Sequence, residues 1–153
     1  SYATLYNYFQ DINDLLFRCV EDFCREAEEF VAAKTKEREG IEGVKAVSRA
    51  YVAYFTEYPG VFELFFLERM GDFGNKPQTA NLITGFFDRL SAPHWEEAVA
   101  KGEITPEKAA KANAQLRYIL PGMLLFYENR MEPVSFAEFM VQVESAIGKA
   151  ING

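Results

Sequence analysis

Few side chains in this sequence could do acid–base, nucleophilic or metal chemistry. It has one histidine, His94, and two cysteines, Cys19 and Cys24. A carboxylate-bridged di-metal centre in a helical bundle takes a Glu-x-x-His motif from each of two helices, which one histidine cannot supply. The cysteines lack metal-ligand spacing, and there is no glycine-rich phosphate loop or Gly-x-Ser-x-Gly elbow. We expect no catalytic residue, metal or cofactor, and interpret His94 as a packing residue.

The composition narrows the class of protein further. A chain of 153 residues with 49% hydrophobic residues and a net charge of -7 is typical of one globular domain. An acidic surface repels phosphate backbones, so the stretch as a whole should bind nucleic acid poorly. No apolar run of about 18 residues and no signal peptide is found, which with two ordinary thiols predicts a cytoplasmic protein without membrane contact. A start at Ser1 without methionine is expected of a processed or trimmed piece of a longer protein.

The elements that must position any site are all helical. Apolar residues recur at three- and four-residue steps in every long segment, and no segment shows sustained alternation, which predicts an all-α bundle with short connections. The predicted helices run over 2–7, 11–39, 41–58, 61–70, 78–90, 91–100, 106–127 and 136–151.

Particular residues mark the predicted helix boundaries. Gly40 is expected to stop the first long helix, and residues 91–93, which include a proline, to break or kink another. Thr105 and Ser135 are expected to be N-caps, the latter within a capping box. Pro121 should kink the helix in which it lies, because proline removes a backbone hydrogen bond.

Large aromatic side chains come from four helical segments that short loops would bring together. They have two interpretations: a simple core, which composition alone favours, or the walls of a cavity that an apolar or aromatic ligand fills. Polar side chains that could contact such a ligand are Arg69, Asn81, His94, Gln115 and Arg117. The predicted ligand-binding residues are Phe55, Tyr58, Phe62, Phe66, Phe86, Phe87, Tyr118 and Phe126, with Phe65 in the same aromatic group.

The last two helices are apolar over more of their circumference than a surface helix should be. Such helices need covering on both sides, and in a chain this small a second copy would provide the cover. We therefore expect a homodimer; the competing interpretation is burial inside the monomer. The predicted interface residues are Met123, Leu124, Tyr127, Phe139, Val143 and Ile147.

The first sixteen residues resemble the recognition helix and following turn of the TetR family of transcriptional repressors. The family pattern runs roughly Ser-x-x-Thr-[Leu/Ile/Val]-Tyr-x-[Tyr/His]-Phe-x-x-Lys-x-x-Leu. Residues 50–59, an aromatic stretch ending in proline, and 101–104, a glycine turn, are also similar to the family. Ile12 stands where the family has a phosphate-binding lysine, and the two helices that precede the recognition helix are absent from this chain. The matching residues are Ser1, Thr4, Leu5, Tyr6, Tyr8, Phe9 and Leu15.

The resemblance implies a TetR-like fold in two parts. Residues 1–10 would be the remnant of a helix-turn-helix DNA-binding domain, and residues 11–153 a ligand-binding and dimerisation domain. Operator DNA would be a partner of the full-length protein only, because a helix-turn-helix needs its first helix to hold the second in the groove. The resemblance assigns DNA binding to Ser1, Tyr2, Ala3, Thr4 and Tyr6.

The function that the resemblance implies is ligand-responsive transcriptional regulation. The protein would be a repressor that dissociates from its operator when a small, largely apolar or aromatic effector binds, and the resemblance favours the cavity and the homodimer over their alternatives. The alternative is an all-helical small-molecule carrier or sequestering protein with no DNA-binding role. An enzyme is disfavoured by the single histidine.

Overall fold

A computed structural model of the chain describes residues 12–68 and 77–153, and these ranges contain seven α-helices and no strand. The all-α class is confirmed. The predicted helix over 2–7, the five DNA-binding residues and Arg69 lie outside the described residues. The helices are α1 (Ile12–Lys34), α2 (Gly40–Glu57), α3 (Pro59–Phe66), α4 (Pro77–Thr84), α5 (Phe86–Ala100), α6 (Pro106–Arg130) and α7 (Phe136–Asn152).

Helix α2 occupies the centre of the bundle. It packs against α1, α3, α5, α6 and α7, while α1 also contacts α4 and α5, and α6 pairs with α7. Ten of its eighteen residues are buried, among them Val44, Val47, Tyr51 and Phe55. This helix therefore carries the residues on which most of the other elements converge. None of the described helices is long and apolar enough to span a membrane.

Both predicted N-caps are confirmed. The Thr105 hydroxyl oxygen accepts a hydrogen bond from the Lys108 backbone N–H at 3.3 Å, and the Ser135 hydroxyl oxygen accepts one from Glu138 at 3.1 Å. Each bond satisfies one of the amide donors left unpaired in the first turn of a helix. Proline stands in the first turn of α3 and of α6, where its missing N–H is not needed.

The first long helix ends earlier than predicted. Helix α1 stops at Lys34, and Glu37 adopts a left-handed backbone conformation with φ of 64° in the turn that follows. Gly40 does not stop α1 but begins α2, with φ of 56°. Glycine suits this position for two reasons. Its left-handed backbone conformation is open to a residue without a Cβ, and an added Cβ would collide with the carboxylate of Glu103.

Of the break or kink predicted at residues 91–93, the break is wrong. The chain breaks at Gly85, between α4 and α5, and Pro93 lies inside continuous α5. A Cβ at Gly85 would press on the Arg89 guanidinium, which donates a hydrogen bond to the carbonyl oxygen of Leu82 at 2.6 Å. The break therefore occurs where an arginine caps the last turn of α4. Helix α3 also ends before the predicted residue 70, at Phe66.

Candidate functional site

Most of the aromatic side chains that were predicted to bind a ligand pack against one another. Phe55, Phe62, Phe65 and Phe86 are at most 4% exposed. The ring centroid of Phe55 lies 5.8 Å from those of Phe62 and Phe65 and 6.3 Å from that of Phe86, in edge-to-face geometry. These four rings form an aromatic cluster that joins α2, α3 and α5. For these four residues the simple-core interpretation therefore applies.

One cavity of about 270 Å³ does lie between α2, α3, α4, α5 and α6. Three of the predicted residues, Phe66, Phe87 and Tyr118, line it, whereas the exposed Tyr58 and Phe126 do not. A dry cavity of about 150 Å³ is enough to hold benzene, so this one has room for a somewhat larger ring system. The other lining residues are Tyr51, Ile83, Thr84, Arg117 and Pro121.

The cavity has a buried inner end and an exposed mouth. Tyr51 and Phe87 are 2% and 3% exposed, and their ring centroids are 5.4 Å apart. Tyr118, at 71% exposed, and Thr84 are open to solvent. A ligand entering past Tyr118 and Thr84 would therefore come to rest against aromatic faces. We call this site the aromatic pocket.

Arg117 brings a charge to the wall of the aromatic pocket, and that charge is paired. Its Nη1 donates to Oδ2 of Asp88 at 3.0 Å, and its Nη2 donates to the Tyr118 hydroxyl oxygen at 3.4 Å. Asp88 accepts a second hydrogen bond at 2.7 Å from the side-chain amide of Asn113, which also accepts from the Trp95 indole at 3.0 Å. This network holds α5 to α6 and fixes the guanidinium.

Tyr51 contributes the other polar group of the inner end. Its ring lies in the core, 4.9 Å from the Phe55 ring centroid. Its hydroxyl makes no hydrogen bond with any residue of 12–68 or 77–153. Burial raises the pKa of Tyr51, so the phenol is neutral at physiological pH.

The aromatic pocket is connected to α1 through Arg89. This residue bonds the end of α4, and its Nε lies 3.8 Å from a carboxylate oxygen of Glu28 on α1. Its Nη2 also lies 3.9 Å from the Cys24 sulfur. Burial raises the pKa of the Cys24 thiol to about 11, so this sulfur is protonated at neutral pH. Both cysteines are free. Side-chain contacts of Arg89 therefore join the end of α4 to α1.

The remaining polar candidates lie elsewhere. Asn81 and Gln115 do not line the aromatic pocket. His94 packs against α2, where a Cβ on Gly43 would collide with its ring, and its Nδ1 lies 3.6 Å from a Glu97 carboxylate oxygen. A larger groove of about 650 Å³ between α5 and α6, lined by Trp95 and small residues, is open to solvent and does not enclose a ligand.

The predicted dimer residues are mostly internal. Leu124, Phe139, Val143 and Ile147 are at most 1% exposed within one chain, and Tyr127 stacks on Phe139 with ring centroids 4.2 Å apart. Met123 is also partly buried. For these residues, burial inside the monomer accounts for the apolar pattern. The apolar side chains that do remain uncovered on these two helices are Tyr118, Ile119, Leu125, Phe126, Phe136 and Val141.

Sequence reasoning missed Tyr51, Ile83, Thr84 and Pro121 as pocket residues. Tyr51 falls on the apolar stripe of α2, and that pattern does not distinguish a residue at the cavity from one in the solid core.

Within the described part of the chain, no three histidine, cysteine or acidic side chains lie close enough together to hold a metal ion. Comparisons with protein-family models, curated proteins and solved structures give no match.

Proposed function

We propose that the chain is the effector-binding and dimerisation part of a TetR-like repressor, which releases operator DNA when a small, largely apolar or aromatic effector binds. The observation that carries the proposal is the aromatic pocket, with about 270 Å³ enclosed by five helices. Ligand sites are typically concave and apolar, with a few fixed polar groups, and this pocket has that character. The DNA-binding role rests on the resemblance of residues 1–16 to a recognition helix.

The route from effector to DNA runs through α4 and α1. Helix α4 supplies Ile83 and Thr84 to the pocket and packs on α1, to which Arg89 also ties it. The recognition segment directly precedes α1, so displacement of α4 by an effector tilts the helix that carries this segment. The effector acts only to the extent that it binds the displaced arrangement more tightly. Paired recognition helices read half-sites about 34–36 Å apart, so a shift of a few ångströms loses the register.

A second copy of this chain is the proposed partner for the outer face of α6 and α7, formed by Ile119, Gly122, Phe126, Val141 and Ser145. We call it the outer face. Ile119, Phe126 and Val141 are 38%, 61% and 66% exposed, and a Cβ on Gly122 would meet no atom within 4 Å, so another helix could approach closely. The five residues that define the face are uncharged, which limits repulsion between two copies of a chain with net charge -7.

Charges at the two ends of α7 favour a two-fold arrangement. Glu138 lies in the first turn of α7 and Lys149 in the last, both exposed and eleven residues apart, hence on one side of the helix. When the two-fold axis is perpendicular to α7, the two copies of this helix run antiparallel, which places each glutamate opposite the lysine of the other copy.

The proposal is tested with the full-length protein. Selection from random duplex DNA followed by footprinting should show two protected half-sites one helical turn apart, and naphthalene or a similar planar compound should release them. Thr84→Trp, which blocks the mouth of the pocket, should retain DNA binding and abolish release. Tyr6→Ala should weaken DNA binding and leave compound binding unchanged. A protein that binds the compounds but selects no DNA is a carrier, and the repressor proposal then fails.

A further inference from the structure

The aromatic pocket is lined by a buried tyrosine, Tyr51, whose hydroxyl makes no hydrogen bond within the described chain. We propose that the Tyr51 hydroxyl is the recognition group of this pocket, and that it donates a hydrogen bond to a neutral acceptor, such as a carbonyl oxygen, carried on the aromatic ring of the ligand. This inference rests on the proposed role of the pocket as an effector site. It specifies the class of effector and the residue that selects it.

The position of Tyr51 supports a binding role over a packing role. A buried hydroxyl without a partner costs free energy, and most buried side-chain polar atoms in proteins are paired. Tyr51 is only 2% exposed, and it lines the cavity. Thr79 Oγ1 and Arg117 Nε are also buried without a partner, but Thr79 does not line the cavity, and the Arg117 guanidinium donates to Asp88 through another nitrogen. The Tyr51 side chain is therefore the polar group of this cavity that makes no hydrogen bond within the described chain.

The other polar side chains of the pocket already make hydrogen bonds, and Arg117 Nε, which makes none, is buried. The Thr84 hydroxyl donates to the Ala80 carbonyl oxygen at 2.7 Å, and the Tyr118 hydroxyl oxygen accepts from Arg117. The Arg117 charge is paired with Asp88 at 3.0 Å. A carboxylate ligand would have to compete with Asp88 for this guanidinium, whereas a carbonyl oxygen needs only the phenolic O–H of Tyr51. These contacts favour a neutral acceptor over an anion.

The dimensions of the pocket set the size of the ligand. Since a cavity of about 150 Å³ accommodates benzene, the roughly 270 Å³ here corresponds to about ten or eleven non-hydrogen atoms, which is one substituted ring or a small fused pair. Phe87 and Phe66 offer ring faces and edges on the way to Tyr51. An aryl ketone has the required size, planarity and single acceptor.

The test uses two nearly isosteric probes, acetophenone and 2-phenylpropene, which differ in a carbonyl oxygen replaced by a CH₂ group. Dissociation constants are measured for both by NMR titration of the wild-type chain, Tyr51→Phe and Tyr54→Phe. Tyr54 is the matched control, since it lies one turn from Tyr51 on α2, does not line the pocket, and directs its hydroxyl to Glu26 at 3.4 Å. Because the ketone is hydrated more strongly than the alkene, the ratio of the two constants is compared between variants.

We expect Tyr51→Phe to weaken ketone binding relative to alkene binding by roughly two- to tenfold, the range for one neutral hydrogen bond. Tyr54→Phe should leave the ratio unchanged. If both probes shift the resonances of Thr84, Phe87 and Tyr118 but the ratio is the same in Tyr51→Phe, the assignment of Tyr51 is overturned and the pocket remains an effector site. If neither probe shifts these resonances, the pocket itself fails as an effector site and the inference falls with it.

Discussion

The aromatic cluster of α2, α3 and α5 and the outer face of α6 and α7 have similar side chains in opposite surroundings. Phe55 is 0% exposed and has four phenylalanine ring centroids within 6.3 Å, whereas Phe126 is 61% exposed. Both residues have apolar neighbours at helical spacing. Tyr51 and Val52 precede Phe55 by four and three positions, and Met123 precedes Phe126 by three. The difference shows that helical periodicity identifies a side chain that needs covering, while distant helices determine whether the chain itself covers it.

The two regions therefore have different roles. The aromatic cluster gains its contacts from folding alone, so it contributes to the stability of a single chain. The outer face remains partly exposed in a single chain and becomes fully buried only if something docks on it. The aromatic pocket lies beside the cluster, where the packing is incomplete, and its inner wall includes Tyr51. Substitutions in the two regions should consequently change different measured quantities.

The largest expected effect is the loss of the Phe55 ring. Phe55→Ala leaves a cavity among Phe62, Phe65 and Phe86 and should lower the free energy of unfolding by about 3–5 kcal/mol. Phe126→Ala, matched in residue type, should change it by about 0.5 kcal/mol or less. Urea denaturation at a concentration that keeps the chain monomeric measures both. Equal losses would contradict the distinction between the two regions.

A charge on the outer face should affect association without unfolding the chain. We expect Phe126→Glu to raise the dimer dissociation constant at least about thirtyfold, corresponding to about 2 kcal/mol, because an unpaired carboxylate would be buried between copies. Sedimentation equilibrium measures the mass and circular dichroism the fold. Ile12→Glu is a control of matched exposure, 60% against 61%, on α1.

The same substitution at Leu124, two residues before Phe126, should unfold the chain. This leucine is 0% exposed inside one chain, so Leu124→Glu should lose helical structure and not simply dissociate. A wild-type chain that sediments as a monomer at micromolar concentration would remove the dimer proposal. A Phe126→Glu chain that is still dimeric would place the interface on another surface.

In the described chain, the sequence predicted where the helices lie better than which side of each helix is buried. The caps at Thr105 and Ser135 act locally, through one side chain and an amide three residues away, so a single segment is enough to identify them. The break at Gly85 was missed because it involves Arg89, a residue of the next helix. The Arg89 guanidinium lies beside Gly85 and donates a hydrogen bond to the last turn of α4. Proline is a local signal too, but Pro93 is accommodated within α5.

The candidate site was less predictable because it depends on contacts between helices. Helix α6 has apolar residues on two sides, Leu120 and Leu124 inward and Ile119 and Phe126 outward, and its sequence alone does not say which side the rest of the bundle covers. Residue type singled out Phe66, Phe87 and Tyr118, which line the pocket, but five helices had to be placed before Tyr51 could be recognised as a lining residue.

A smaller effect is expected where the pocket meets the core. Tyr51→Phe removes an unpaired buried hydroxyl and should raise the free energy of unfolding without ligand by up to about 1 kcal/mol. Tyr54→Phe removes a hydroxyl that bonds Glu26 and should not stabilise the chain. Thermal denaturation compares the two variants. A destabilised Tyr51→Phe chain would mean that the hydroxyl has a partner in the folded protein.

The smallest expected effect concerns Glu128, where α6 faces the exposed Glu63 of α3. Burial, and secondarily the charge of Glu63, raises the pKa of Glu128 above its usual 4.5, and its Oε1 has no hydrogen-bond partner among residues 12–68 and 77–153. The folded chain therefore binds this proton more tightly than the unfolded chain does. The contribution of Glu128 to stability is greatest at low pH and falls as the pH rises above about 4.5.

Glu128→Gln removes this dependence. The variant and the wild type should have similar free energies of unfolding near pH 4, and the variant should become more stable as the pH approaches 7, by a few tenths of a kcal/mol because water screens partly exposed carboxylates. Urea denaturation between pH 4 and pH 7 measures the divergence, with Glu132→Gln, an exposed carboxylate just beyond α6, as the control. Parallel curves for wild type and Glu128→Gln would show that neither burial nor the charge of Glu63 disfavours the ionised Glu128 carboxylate in the folded chain.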